Sequence, residues 1–477
     1  MGVVEENVKG DKMARQDFWY NPEAKEAGLP PTGTKGAGFI WLSGQTAVDL
    51  ETGAITRDLE DLPKEGFDQL YTGNMIWDAC DRGPVRAQTW RIYDNLRKIL
   101  SQQGVSLNDI VRQRIYLRDI DATQMVEKEM LAFFPDYKPA TCIWRMSDKG
   151  LNNDILIMVE AVAVDPKSGL KAEPVYVPEL AKLTAPYPQG VKVGQYLWSS
   201  ALYGVDPATG RVPMCRADLS EDVPQLWTDY YYSDVNTEAA KVQLAQMYKN
   251  MDRLMTSQGA TMKDVGHVLQ WFGCEIKVIG DVHQMRIEKY WPDPKDCPTP
   301  SGFTLRRISN DPQIQWSDEI LGLLPGPIRK EPTMVGDRGV GSYYALHTRM
   351  GHLWVNAGEI PGEKATRKAY FEFSELPGAA RFLAQGRVHP HRTMVQAWFL
   401  YQILLKRILH DDGLDFSKVV MQQIYMRDVS QYPAVERVAQ LAFDGNIPAT
   451  SVICVDDLTA FAGDSGMLEI EFVCDTA

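Results

Sequence analysis

Val111-Arg-Gln-Arg-Ile-Tyr-Leu-Arg-Asp119 returns almost unchanged as Val420-Met-Gln-Gln-Ile-Tyr-Met-Arg-Asp428. In the first copy Val111, Gln113, Ile115 and Leu117 alternate with Arg112, Arg114, Tyr116 and Arg118. Successive side chains of a strand point to opposite faces, so the pattern predicts a half-buried β-strand closed by an aspartate. A more diverged counterpart, Val265 to Cys274, lies between the two. Three versions of one strand in one chain point to an internal repeat.

Other segments recur in the same order. A strand built on Trp41 reads Phe39-Ile-Trp-Leu-Ser-Gly-Gln45 and returns around Trp198 and Trp354. This places Ser43, Ser200 and Asn356 at matched positions, and the three tryptophans read as core. Amphipathic helices are predicted over 87–104, 242–259 and 395–413, ending at Gly104, Gly259 and Gly413. Glycine has no Cβ to resist the left-handed turn that closes a helix. Second helices are expected at 125–134 and 435–443. Pro139-Ala-Thr141, Pro298-Thr-Pro300 and Pro448-Ala-Thr450 then open strands, and Ile157–Ala163 and Leu468–Val473 close the first and third units. The Pro-rich stretches 165–180 and 324–339 read as exposed linkers. The expected domains are 1–167, 168–332 and 333–477, each of α+β class.

The composition is that of an ordinary globular protein, 44% hydrophobic and 24% charged. A net charge of −13 argues against a nucleic-acid partner, which needs a basic footprint. The seven cysteines form no C-x-x-C pair and read as reduced thiols. The first twenty residues lack the apolar core of a signal peptide, and no run of about 18 apolar residues suggests a membrane span. A cytoplasmic location is expected. His389-Pro-His391 lacks ligand partners at metal spacing, so no metal site and no cofactor are expected.

The ordered set resembles the Rid (reactive intermediate deaminase) family. The opening of the second unit, Pro186-Tyr-Pro-Gln-Gly190 through Gly204-Val-Asp-Pro-Ala-Thr-Gly210, carries the likeness most clearly. In the first unit Leu42-Ser-Gly-Gln45, Pro139-Ala140 and Val159-Glu-Ala-Val-Ala163 follow in order. The resemblance implies chorismate-mutase-like units, each a mixed sheet covered by two helices. It implies three of them fused as a pseudo-trimer around a central barrel, with ligand clefts between neighbours. Further association of pseudo-trimers into a homo-oligomer is compatible with it.

The resemblance also implies a metal-independent hydrolase that deaminates an enamine or imine acid. An amino-dienoate such as 2-aminomuconate, from aromatic amine degradation, is the favoured substrate. Residue by residue it points to Glu160, Glu319 and Glu471 as catalytic carboxylates. Tyr187, Tyr343, Thr141, Thr450, Ser43, Ser200 and Arg145 are candidates for substrate binding. The family's imine deaminases carry an arginine after Pro-Ala, which clamps the substrate carboxylate. Here that position holds Thr141, Pro300 and Thr450, so Arg145, Arg114, Arg118, Arg306, Arg307 and Arg427 are considered as substitutes. Two alternatives stand beside this reading. One is a Ser–Lys ring-amide hydrolase using Ser43 or Ser200, although Lys98 is matched by Arg253 and Arg407. The other is a metabolite-binding protein without turnover.

Overall fold

The computed structural model describes residues 15–79, 82–147, 154–221, 235–273, 289–334, 344–363, 368–384, 391–458 and 466–477. Tyr343 and His389 lie outside them. Three mixed sheets repeat one strand order. The first runs Gln16–Phe18, Gly33–Gly36, Phe39–Leu42, Ile157–Val164, Ile110–Leu117, Ala140–Arg145. The second runs Ala172–Val175, Gly190–Val193, Tyr196–Ser199, Trp316–Leu323, Val265–Phe272, Thr299–Thr304. The third runs Lys330–Met334, Ala345–Met350, Leu353–Asn356, Leu468–Asp475, Val419–Met426, Ala449–Cys454. Only the last pair named in each sheet is parallel, and in the second sheet Asp457–Leu458 of the third unit pairs antiparallel beyond Thr299–Thr304. A parallel pair needs a crossover, and helices Thr123–Ala132 and Tyr432–Ala442 supply it in the first and third units.

The long helices are Arg82–Gln102, Val235–Ser257 and, in the third unit, Arg392–Phe399. The last continues through a π-helical turn, Leu400–Leu405, into Lys406–Asp411. Gly104, Gly259 and Gly413 follow these helices with φ of 78°, 72° and 71°, as their sequence positions predicted. Each helix layer covers one face of its sheet, around Leu96, Met251 and Leu404 respectively.

Three expectations need correction. The strand quoted at the outset is not half-buried: all eight residues of Ile110–Leu117 are buried, as are those of Val265–Phe272 and Val419–Met426. The face bearing Arg112, Arg114 and Tyr116 is covered by the sister units. A β-bulge recurs at the start of each of these strands, between Ile110 and Arg112, Val265 and His267, and Val419 and Met421. It inserts one residue, so Val111 joins the arginine face instead of the Gln113 face.

The Pro-rich stretches also do more than link. Each contributes an edge strand, Ala172–Val175 and Lys330–Met334, and the second of these crosses the 332/333 boundary read from sequence. Pro174 and Pro332 are tolerated there because an edge strand leaves one side of its backbone unpaired.

The third correction concerns register. Trp41 pairs with Val162 and Trp198 with Leu321, two residues beyond Glu160 and Glu319. In the third sheet the residue opposite Val473, two beyond Glu471, is Val355, and Trp354 lies opposite Cys474. A one-residue slip turns a side chain to the other face. Trp354 therefore packs under the helices against His347, while Trp41 and Trp198 meet edge-to-face in the shared interior. Ala357, not Asn356, is the structural counterpart of Ser43 and Ser200. The same register moves the Tyr187 position to Tyr344.

The three sheets face one interior built in layers. Phe39, Trp41, Trp198 and Leu353 fill one end, and Tyr116, Trp144, Trp271, Phe303 and Tyr425 fill the other. Between them lies a buried polar layer. Arg112 Nη2 reaches Glu160 at 2.5 Å and its Nη1 reaches Glu319 at 3.2 Å. Arg114 binds Glu319 through Nε at 2.7 Å and Nη2 at 2.9 Å. Gln423 donates to both oxygens of Glu160 at 2.8 Å, and His267 lies 3.2 Å from Glu471, which also accepts from Ser301. Each glutamate thus contacts a neighbouring unit: Glu160 the third, Glu319 the first, Glu471 the second. Burial alone would raise the Glu319 carboxyl. The Arg114 and Arg112 guanidiniums overcome it and pull the carboxyl down to about 2.

Two predictions follow from this layer. Glu319→Ala leaves two guanidiniums buried beside a missing partner, so it should cost about 3–5 kcal/mol in urea unfolding. Glu319→Gln, which does not titrate, gives the pH test. A depressed carboxyl stabilises the fold above its ordinary value of 4.5 and loses that contribution as pH falls towards 2. The stability gap between wild type and Glu319→Gln should close over that window; a constant gap would contradict the ion pairing.

Candidate active site between the first and second units

The units join head to tail through the same backbone contact. Ala201 N–H donates to Thr141 O at 3.2 Å, Gly358 N–H to Pro300 O at 3.2 Å, and Gly44 N–H to Thr450 O at 3.1 Å. The order first to second, second to third, third to first closes a ring. Two junctions carry a further latch. Ser200 Oγ accepts the Thr141 N–H at 2.9 Å and donates to Pro188 O at 2.6 Å. Ser43 Oγ accepts the Thr450 N–H at 3.0 Å and donates to Pro31 O at 2.7 Å. At the remaining junction Pro300 has no N–H to offer, and Ala357 faces it without a hydroxyl.

Beside the first of these junctions lies a cavity of about 190 Å³. Thr141 and Ile143 form one wall, and Leu180 to Thr184, Tyr187, Ala201 and Tyr203 form another. Asn250 and the turn Ser309–Asp311 also line it. The Thr141 hydroxyl donates to Pro139 O and accepts from Gln113 Nε2, both at 3.0 Å. The Tyr187 hydroxyl donates to Glu127, which lies on the crossover helix of the first unit, and the Thr184 hydroxyl donates to the same Glu127 oxygen. Thr184 Oγ and Tyr187 Oη are 3.0 Å apart. Burial first, then the Glu127 charge, holds the Tyr187 phenol well above its ordinary range.

The structure therefore gathers Thr141, Tyr187 and Ser200 at one cleft, and Thr450 and Ser43 at the junction of the third and first units. It does not bring Glu160, Glu319 or Glu471 to the described cavity, because all three are committed to the interior polar layer. Arg145 sits at a separate surface hollow with Arg118, Asp119 and Arg307, and its Nη1 lies 3.2 Å from Asp456. Arg114 belongs to the interior layer. Arg307 forms a bidentate pair with Asp121 and also donates to Ser309 O, which anchors the turn that closes the cavity.

Glu127 and Asn250 escaped the sequence reading. A signal existed: Val126-Glu127 recurs as Val435-Glu436 at the same place in the crossover helix. At the junction of the third and first units Pro30 replaces Tyr187 and offers no hydroxyl. There burial pushes the half-buried Glu436 carboxyl up.

Comparison with known proteins places the chain. A family model described as Endoribonuclease L-PSP matches residues 70–165. A RutC family protein of Pyrococcus abyssi is 28% identical over 151 residues, which is 32% of this chain and 98% of the relative. "Protein mmf1, mitochondrial" of Schizosaccharomyces pombe is 33% identical over 155 residues, 32% of this chain and 79% of the relative. The chain belongs to the Rid family. Among solved structures, a putative endoribonuclease from Klebsiella pneumoniae matches at 28% identity and a TM-score of 0.27, over 28% of this chain and 98% of its own. Each of the two curated relatives matches about a third of this chain. No helix among the described residues is long and apolar enough to cross a membrane.

The latch generates a prediction. Ser200→Ala removes a buried acceptor from the Thr141 N–H and should cost about 1–3 kcal/mol. Thermal unfolding checks this. Loss of activity without loss of stability would point to a nucleophilic serine instead.

Proposed function

We propose that the cleft between the first and second units binds a small imine or enamine and hydrolyses it, releasing ammonia. The observation that supports this reading most is the convergence of Thr141 and Tyr187, from two units, on one cavity. Water adds to the C=N carbon and nitrogen takes a proton. The resulting carbinolamine then collapses to a carbonyl and ammonia. Tyr187, held by Glu127, touches the nitrogen, while Thr141, Asn250 and the apolar wall of Leu180, Ile143 and Leu202 fix the carbon frame. Mostly apolar walls with a few fixed polar groups are the usual makeup of a metabolite site.

The dicarboxylate 2-aminomuconate suits this cleft poorly. Among the described residues lining it, Lys182 is the one cation, and Asp311 opposes it. An uncharged imine is the better substrate. A ring-amide hydrolase is disfavoured at Ser43 and Ser200, whose hydroxyls are engaged at both ends. Metabolite binding without turnover remains the second reading, favoured by the withdrawal of the three strand glutamates into the interior.

The test is ammonia release from freshly generated 2-imino acids, carboxylate-free ketimines and 2-aminomuconate. Tyr187→Phe should lower kcat/KM about 100-fold. Glu471→Gln should act on stability and leave the fold-corrected rate near wild type. Ligand binding with no ammonia from any of these would support the second reading, and a rate lost in Glu471→Gln at full stability would contradict both.

A further inference from the structure

Resting on that assignment of the cleft, we propose that Glu127 sets the chemical class of the ligand: by taking the Tyr187 proton, it turns Tyr187 into an acceptor, so the cleft selects compounds that donate N–H and rejects carboxylates.

A phenol has one proton and two lone pairs. The Tyr187 proton is committed to Glu127, and the same Glu127 oxygen takes the Thr184 proton. What Tyr187 can offer towards the cavity is therefore oxygen lone pairs. Glu127 is itself buried, 4% exposed, on the first unit, whereas Tyr187 and Thr184 come from the second. The carboxylate stands behind the phenol and not in the cavity wall, so it acts through Tyr187 as a positioning residue.

The remaining polar groups fit the same preference. The Thr141 hydroxyl spends its proton on Pro139 O. The Thr141 N–H is capped by Ser200 and its carbonyl by the Ala201 N–H. Asn250 turns its amide nitrogen away, donating to the Tyr203 and Val205 carbonyls at 3.0 and 2.9 Å. The Thr141 and Asn250 donors that a bound carboxylate would need are thus engaged within the protein. Lys182, the one cation on the described lining, is offset by Asp311, and Glu127 behind the phenol adds repulsion to an anion. An amine, imine or amide N–H meets the opposite situation: a phenol oxygen polarised by a carboxylate.

Glutamine at position 127 inverts the logic. Its amide can donate to the Tyr187 oxygen, which frees the phenol proton to point into the cavity. Acceptors should then gain at the expense of donors.

Benzamide and benzoate form a matched pair of probes: planar, nearly equal in shape, and differing in N–H donors and charge. Binding to the full chain is measured by calorimetry, at one pH and salt concentration. Wild type should prefer benzamide at least tenfold. Glu127→Gln should reduce that preference about tenfold or reverse it. Tyr187→Phe should bring the ratio close to one. A wild type that prefers benzoate, or a ratio unchanged in both variants, would overturn the assignment to Glu127. Ala201→Trp, which fills the cavity, separates the two levels. Benzamide binding that survives it, or no binding of either probe to wild type, would overturn the cleft reading itself and this proposal with it.

Discussion

Arg112 and Arg114 project from a strand with both faces buried, and neither guanidinium reaches water. Their charges are matched only where Glu160 of the same unit and Glu319 of the next meet them. Buried charges must be paired, because desolvation otherwise exceeds any local gain. This requirement ties the units together. Neither arginine can be satisfied in an isolated first unit, since Glu319 comes from the second and Gln423, which holds Glu160, from the third. The apolar layers above and below exclude water from the pairs and keep the local dielectric low, which strengthens them.

The ring of junctions follows from this interior. Sheets held around a common centre present each parallel edge strand to the loop of the next unit, and backbone groups pair there. Fusion then lets each junction diverge. Pro300 opposite Ala357 and Pro30 in place of Tyr187 are two such departures; the first removes polar groups from both sides, while the second removes the phenol and keeps the Glu436 carboxylate. Only the junction of the first and second units, among the described residues, combines the serine latch, the phenol and the crossover-helix carboxylate.

The repeat, the strand–helix order and the helix ends were legible in the sequence. Their causes are local: hydrophobic period, glycine at the left-handed turn, proline at strand starts. What covers the second face of a strand is not local. The strand of Arg112 and Arg114 read as half-buried because a periodic pattern cannot distinguish water from a buried partner more than 200 residues away. Register was lost for a similar reason. The tryptophan of the third unit aligned by identity with Trp41 and Trp198, yet its strand is slipped by one residue, so the inward position holds Val355. Thr141 and Tyr187, named through resemblance, both line the candidate cleft. Glu127 lies on a helix that sequence analysis treated only as cover for the sheet. The interior pairing of Glu160, Glu319 and Glu471 was not legible, because it draws on Arg112, Arg114 and His267 and so on more than one unit at once.

Because the three units share one interior, they should open together. Native-state amide hydrogen exchange under mild denaturant tests it directly, by following Ile110–Leu117, Val265–Phe272 and Val419–Met426. The slowest amides of all three strands should merge into one global opening, with the same free energy and the same denaturant dependence. Three separate opening energies, with one unit exchanging freely while the others stay protected, would contradict it.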